Sequence, residues 1–145
     1  MRISLTKWLI VVLLIATGYA AWNWWRPYDW QPDAAARYRI VSVVVTRDYG
    51  HHWVEVQLRR AGTAAHDLMQ PVRLVLNGGR ELVPADTRLE GEGMTTLVFK
   101  FWLDPGDLTG PLWLRLNNGE LRVKTSLGEP SLGISGRRYF NSTHW

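Results

Sequence analysis

Any chemistry in this chain would have to come from a few residues. His51 and His52 stand together three positions after Asp48, while His66 and His144 are distant in sequence. Imidazole and carboxylate groups can ligate zinc, and a metal-dependent hydrolase would draw on His51, His52 and His66. No histidine pair has the i, i+4 spacing that sets two rings on one helix face, so the expectation is polar loop histidines and no metal site. Asp104-Pro105-Gly106-Asp107 offers too few oxygens for calcium and reads as a Pro-Gly turn. Glu90 and Glu92 flank Gly91 in a solvated turn. Gly133-Ile134-Ser135-Gly136 approaches a nucleophile elbow, but Arg137 stands where that motif needs glycine. Cysteine is absent, which excludes a thiol nucleophile and a disulfide framework. No phosphate-binding glycine motif is present. The expectation is a non-enzyme with no catalytic residues, no metal and no cofactor.

Residues suited to binding are better represented. The stretch Arg137-Arg138-Tyr139-Phe140, followed by Trp145, combines arginine with aromatics, the composition of protein-interface anchors. Trp102 and Trp113 fall at outward positions of alternating segments, as does Trp53. Trp102, Trp113, Arg137, Arg138, Tyr139, Phe140 and Trp145 are therefore the candidate partner-binding residues. The bland alternative is that the aromatics tuck under the protein's own tail.

The elements that must position these residues start with an anchor. Arg2 and Lys7 precede the uninterrupted apolar run Trp8 to Ala16, which continues through small residues to Trp22. From Trp8 to Trp25 a helix would extend roughly 27 Å, close to a hydrocarbon thickness. Trp8 marks one end, and Trp22, Trp24, Trp25 and Arg26 mark the other, where indole rings prefer the headgroup level. A cleaved signal peptide using Gly18-Tyr19-Ala20 is the competing reading. The basic start should stay inside, so the remainder faces outside.

Charge then loses its first meaning. The net +4 invites a nucleic-acid reading, yet Arg2, Lys7 and Arg26 supply three of those charges. The remainder is nearly neutral and lacks the clustered basic face that nucleic acid requires.

Beyond a juxtamembrane linker at 27–37, apolar and polar residues alternate in short runs. Strands are expected around 38–46, 53–59, 73–76, 81–83, 96–103, 112–116 and 121–124, separated by turn residues such as Asn77-Gly78-Gly79 and Asn117-Asn118-Gly119. Seven short strands within 38–127 point to an all-β, immunoglobulin-like sandwich, with a small barrel as alternative. Residues 128–145 read as a loop-like tail too poor in apolar residues for another core strand. Residues 67–79 and 107–119 share D-L-x-x-P-(V/L)-x-L-x-L-N-x-G, with seven of thirteen positions identical. In each copy the aspartate should accept local backbone N–H bonds and the following leucine (Leu68, Leu108) should plug the core. Gly79 and Gly119 should each take the left-handed turn position.

A basic start, one anchor (residues 1–26) and a lone seven-stranded sandwich together resemble small bacterial envelope proteins with an immunoglobulin-like domain. That resemblance implies a single-pass inner-membrane protein with its domain in the periplasm, acting as a non-catalytic interaction module for an envelope protein partner. An immunity or inhibitor protein of the same compartment is the alternative.

Overall fold

The computed structural model describes residues 4–25 and 33–145. Helix α1 (Leu5–Trp25) is apolar on every side, exposes its described side chains, and is long and apolar enough to cross a membrane. Trp8 and Trp22 lie exposed along it and Trp24 and Trp25 close it, while Arg26 lies outside the described residues.

The rest is β structure in two antiparallel sheets. Strands β1 (Tyr38–Asp48), β2 (His51–Arg60), β5 (Asp86–Glu90), β6 (Thr96–Leu103) and β9 (Arg137–Phe140) form one sheet in the order β5-β6-β2-β1-β9. Strands β3 (Arg73–Val75), β4 (Glu81–Leu82), β7 (Leu112–Leu116) and β8 (Gly119–Lys124) form the other, ordered β4-β3-β7-β8. Val54, Val56, Leu58, Phe99 and Phe101 from the first sheet join Leu74, Leu112, Leu114 and Leu121 from the second in one buried core. The period-2 alternation causes this, because each strand turns one apolar row inward and one mixed row outward. β1 departs from strict alternation. A bulge between Ile40 and Ser42 leaves Val41 half-buried and shifts the inward row to Val43 and Val45.

Among the described residues nine strands replace the seven expected. β5 escaped the alternation rule because all five of its residues are exposed. β9 overturns the reading of 128–145 as a loop-like tail: residues 137–140 pair with Val43–Thr46 of β1, and Phe140 and Trp145 are buried in the common core. The linker likewise ends earlier than expected, since Ala34–Ala36 form a 3₁₀ turn packed against β8.

The sequence repeat takes an unexpected form. Its copies lie side by side in one sheet as β3 and β7, with Leu74 opposite its own counterpart Leu114. This places a local two-fold axis at that pair. The head of each copy therefore meets the Asn-Gly end of the other: Asp67 donates its backbone N–H to Asn117, and Asn77 packs on Gly110. Leu108 is fully buried as expected, but Leu68 is exposed. Gly79 has the expected positive φ, whereas Gly119 does not, and Asn117 adopts it instead. Gly119 serves close approach, because a Cβ there would lie 2.3 Å from the Ala36 nitrogen.

Candidate functional site at the far end of the sheets

The two ends of the β domain are built differently. The stem end is the one that holds Asp33, the first described residue after α1 in the sequence. Asp33 caps the 3₁₀ turn, its Oδ1 accepting the Ala35 N–H at 3.0 Å while Oδ2 accepts the Glu120 N–H at 2.9 Å. Asn117 sits buried in the β7–β8 turn. Its Nδ2 donates to the Ala36 carbonyl (2.6 Å), and its Oδ1 accepts from the Asp67 N–H (2.8 Å) and His66 Nδ1 (2.9 Å). A backbone N–H can only donate, which fixes the amide orientation and requires a proton on His66 Nδ1. The Tyr38 hydroxyl donates to the Met94 carbonyl and accepts the His66 N–H. His66 is thus a satisfied structural histidine at the stem end, far from His51 and His52 along β2.

At the far end β2 begins, and its pleat sends His51 and His52 to opposite faces. His52 points inward, 3% exposed, with no hydrogen-bond partner on either ring nitrogen; Glu129 Oε1 stands 3.7 Å from Nε2. Burial holds its pKa below the ordinary histidine value, against the opposing pull of Glu129 and aided by Arg47 and neighbouring His51. His51 points outward, its Nε2 2.9 Å from Asp104 and its ring stacked on Trp102 at 4.8 Å between centroids. Among the described residues no three histidine or carboxylate side chains group closely enough to hold a metal ion.

The other candidate chemical groups are occupied locally. Asp107 Oδ2 accepts the Asp104 N–H, and its Oδ1 pairs with Arg80 at 2.6 Å. The Ser135 hydroxyl donates to the Arg137 carbonyl. Lys124 is fully buried, donating to the carbonyls of Ser126 and Gly128, with its ammonium 5.8 Å from the centre of the Trp145 ring. Burial lowers its pKa. Its two carbonyl contacts tie the chain segment after β8 to the end of that strand.

What the far end does assemble is a face. On the outer side of β6-β2-β1-β9 the register sets Trp102, Trp53, Thr46 and Arg137 in one row across four strands. Lys100, Glu55, Val44 and Tyr139 form the row beside it. At about 4.8 Å per strand the face is roughly 15 Å wide. Trp53 meets Trp102 edge-on at 4.3 Å, donates from Nε1 to Asp48 Oδ2 at 3.0 Å, and carries Lys100 Nζ 4.5 Å from its ring centre. Arg88 pairs with Glu55 at 3.0 Å. A concavity of about 190 Å³ lies between the rows, bounded by Val44, Thr46, Trp53, Glu55, Lys100 and Arg137. Trp102 and Tyr139 remain exposed beside it.

Of the partner-binding candidates, the fold brings together Trp102, Arg137 and Tyr139. Trp113 lies on the outer face of the other sheet, opposite Arg122. Phe140 and Trp145 leave the candidate surface altogether: they are buried, stacked on each other at 5.0 Å, and Trp145 Nε1 donates to the Val123 carbonyl. Arg138 lies over the Phe140 ring and donates to the Ser131 carbonyl. Trp53, Lys100, His51 and Val44 complete the face. Trp53 was recognisable by its outward phase, but the pairing of β9 with β1 that adds Arg137 and Tyr139 had no sequence signal.

The chain matches no protein-family profile, no curated protein and no solved structure.

Proposed function

We propose that this chain is a single-pass, membrane-anchored and non-catalytic interaction module of the bacterial cell envelope. In this reading α1 crosses the cytoplasmic membrane with Arg2 and Lys7 inside, and the β domain stands in the periplasm. The length and all-round apolarity of α1 support the anchor, and the tryptophans at its ends suit the two headgroup levels. We read the β domain as an immunoglobulin-like sandwich. Its strand order supports that reading, because β1-β2-β6-β5 facing β3-β7-β8 corresponds to the A-B-E-D and C-F-G sheets, with β4 and β9 as additions.

The observation that carries the binding function is the double row at the far end. A rigid sheet presents an exposed tryptophan and tyrosine with an arginine and a lysine around a shallow concavity. Tryptophan, tyrosine and arginine are the residues that dominate protein–protein binding energies. The partner is an envelope protein that places an extended or convex segment across the four strands. Membranes carrying Trp102→Ala or Arg137→Glu should lose the partner that co-purifies with the wild-type chain, whereas Trp113→Ala should retain it. Equal retention by all three variants would sink the assignment of this face.

A further inference from the structure

The stem end carries a second surface with a different composition. Residues 33–38 and the loop 61–71 are tied together there: Arg37 Nη1 donates to the Ala65 carbonyl at 2.8 Å, and the Ala61 N–H donates to the Arg37 carbonyl at 3.0 Å. The most exposed residues of this surface are uncharged. Ala61 to Ala64 are exposed, and Leu68 and Met69 stand out at 64% and 90% exposure. The carboxylates of Asp33 and Asp67 accept nearby backbone N–H groups, the latter from Met69 at 2.9 Å. A groove of about 410 Å³ runs between the 3₁₀ turn and residues 61–64.

A separate observation concerns its rim. Arg39 of β1 lies directly opposite Arg59 of β2, both exposed, and neither makes an ion pair among the described residues. Like charges in directly opposed positions destabilise a sheet unless an anion sits between them. Both arginines lie within two residues of the stem surface, Arg39 beside Arg37 and Arg59 beside Ala61.

The distance to α1 limits what can lie next to this end. Only residues 26–32 separate Trp25 from Asp33, so the two Cα atoms are at most about 29 Å apart even at full extension. We propose that the stem end is a second membrane contact. Leu68 and Met69 enter the headgroup layer of the bilayer that α1 crosses, and Arg39 and Arg59 bind the phosphates of anionic lipids. An apolar tip with a basic rim is the composition that binds such an interface. This contact rests on the reading of α1 as a bilayer anchor.

The absence of cysteine makes the test direct. Single variants Val12→Cys, Met69→Cys and Ile134→Cys of the full chain are spin-labelled and reconstituted in vesicles of phosphatidylcholine with phosphatidylglycerol. Collision with oxygen is then compared with collision with a water-soluble nickel complex. The expected result is a Val12 label in the hydrocarbon, an Ile134 label in water, and an oxygen-to-nickel ratio at Met69 several-fold above that at Ile134. Adding Arg39→Glu and Arg59→Glu should bring the Met69 ratio down toward the Ile134 value. A Met69 label as wet as Ile134, with Val12 still in hydrocarbon, overturns the contact and leaves the anchor standing. A Met69 label shielded from both probes means that protein covers the loop and also overturns it. A Val12 label in water removes the anchor and the contact together.

Discussion

The stem end and the far end use the same residue types for opposite purposes. Near the stem, histidine, asparagine and tyrosine are turned inward and satisfied, so that His66, Asn117 and Tyr38 join segments that lie 28 to 81 positions apart. At the far end His51, Trp102 and Tyr139 are turned outward and held by strand pairing and ring stacking. The difference teaches that a polar or aromatic side chain in this domain becomes a candidate for binding only when the pleat points it out and the sheet keeps it rigid. Substitutions of these inward stem residues should therefore act on stability, and substitutions on the far-end face should act on capture.

Four measurements would break or sharpen that contrast. The largest effect is expected where the C-terminal residues close the core between the two ends. Trp145→Ala should cost about 3–5 kcal/mol in urea unfolding of the detergent-solubilised chain, and removal of 137–145 should abolish cooperative unfolding. A truncated chain that stays cooperatively folded would mean that β9 is dispensable. Asn117→Ala comes next, at about 3 kcal/mol, because it strands the buried His66 donor and Ala36 carbonyl together with the half-buried Asp67 N–H at the stem. Partner capture by the surviving folded fraction should be unaltered.

His52 gives a smaller, pH-dependent effect. Its folded pKa lies below the unfolded value of about 6.5. As pH falls through that value the unfolded chain takes up a proton that the native state refuses, so stability declines until the lowered pKa is passed. The drop in Tm between pH 7.5 and pH 5 should be smaller in His52→Leu than in the wild type, as measured by circular dichroism. Identical pH profiles would show that the buried ring does not contribute. The smallest stability effect belongs to the face itself: Trp102→Ala should change unfolding by no more than about 1–2 kcal/mol while removing capture. A loss much larger than that would make Trp102 a structural residue like those of the stem.

How much of this was legible in the sequence follows from the same contrast. Strands β1, β2, β6, β7 and β8 were readable because each buries one face, which leaves a period-2 trace. β5 buries nothing and left none. β9 buries only Phe140 of its four residues, so the pattern that built the other strands was absent. The outward phase of Trp53, Trp102 and Trp113 is legible in the alternation of their strands. That Trp113 belongs to the opposite sheet was not readable, since strand order is a non-local property. The Asn117 network was hidden for a related reason: Asn-Asn-Gly already accounts for a turn, and the groups it holds come from three distant segments. The repeat was visible, but its antiparallel pairing about Leu74 and Leu114 appears only once both copies lie in one sheet.

The outer face of β6-β2-β1-β9 is where the partner is proposed to bind. The direct test places a photo-crosslinking amino acid at Tyr139, and in a second chain at Arg122 on the outer face of the other sheet, each in native membranes. The expected result is a discrete adduct from position 139 that disappears when Trp102→Ala is added, and none from position 122. An adduct of equal yield from position 122, or one from position 139 that survives the loss of Trp102, would contradict it.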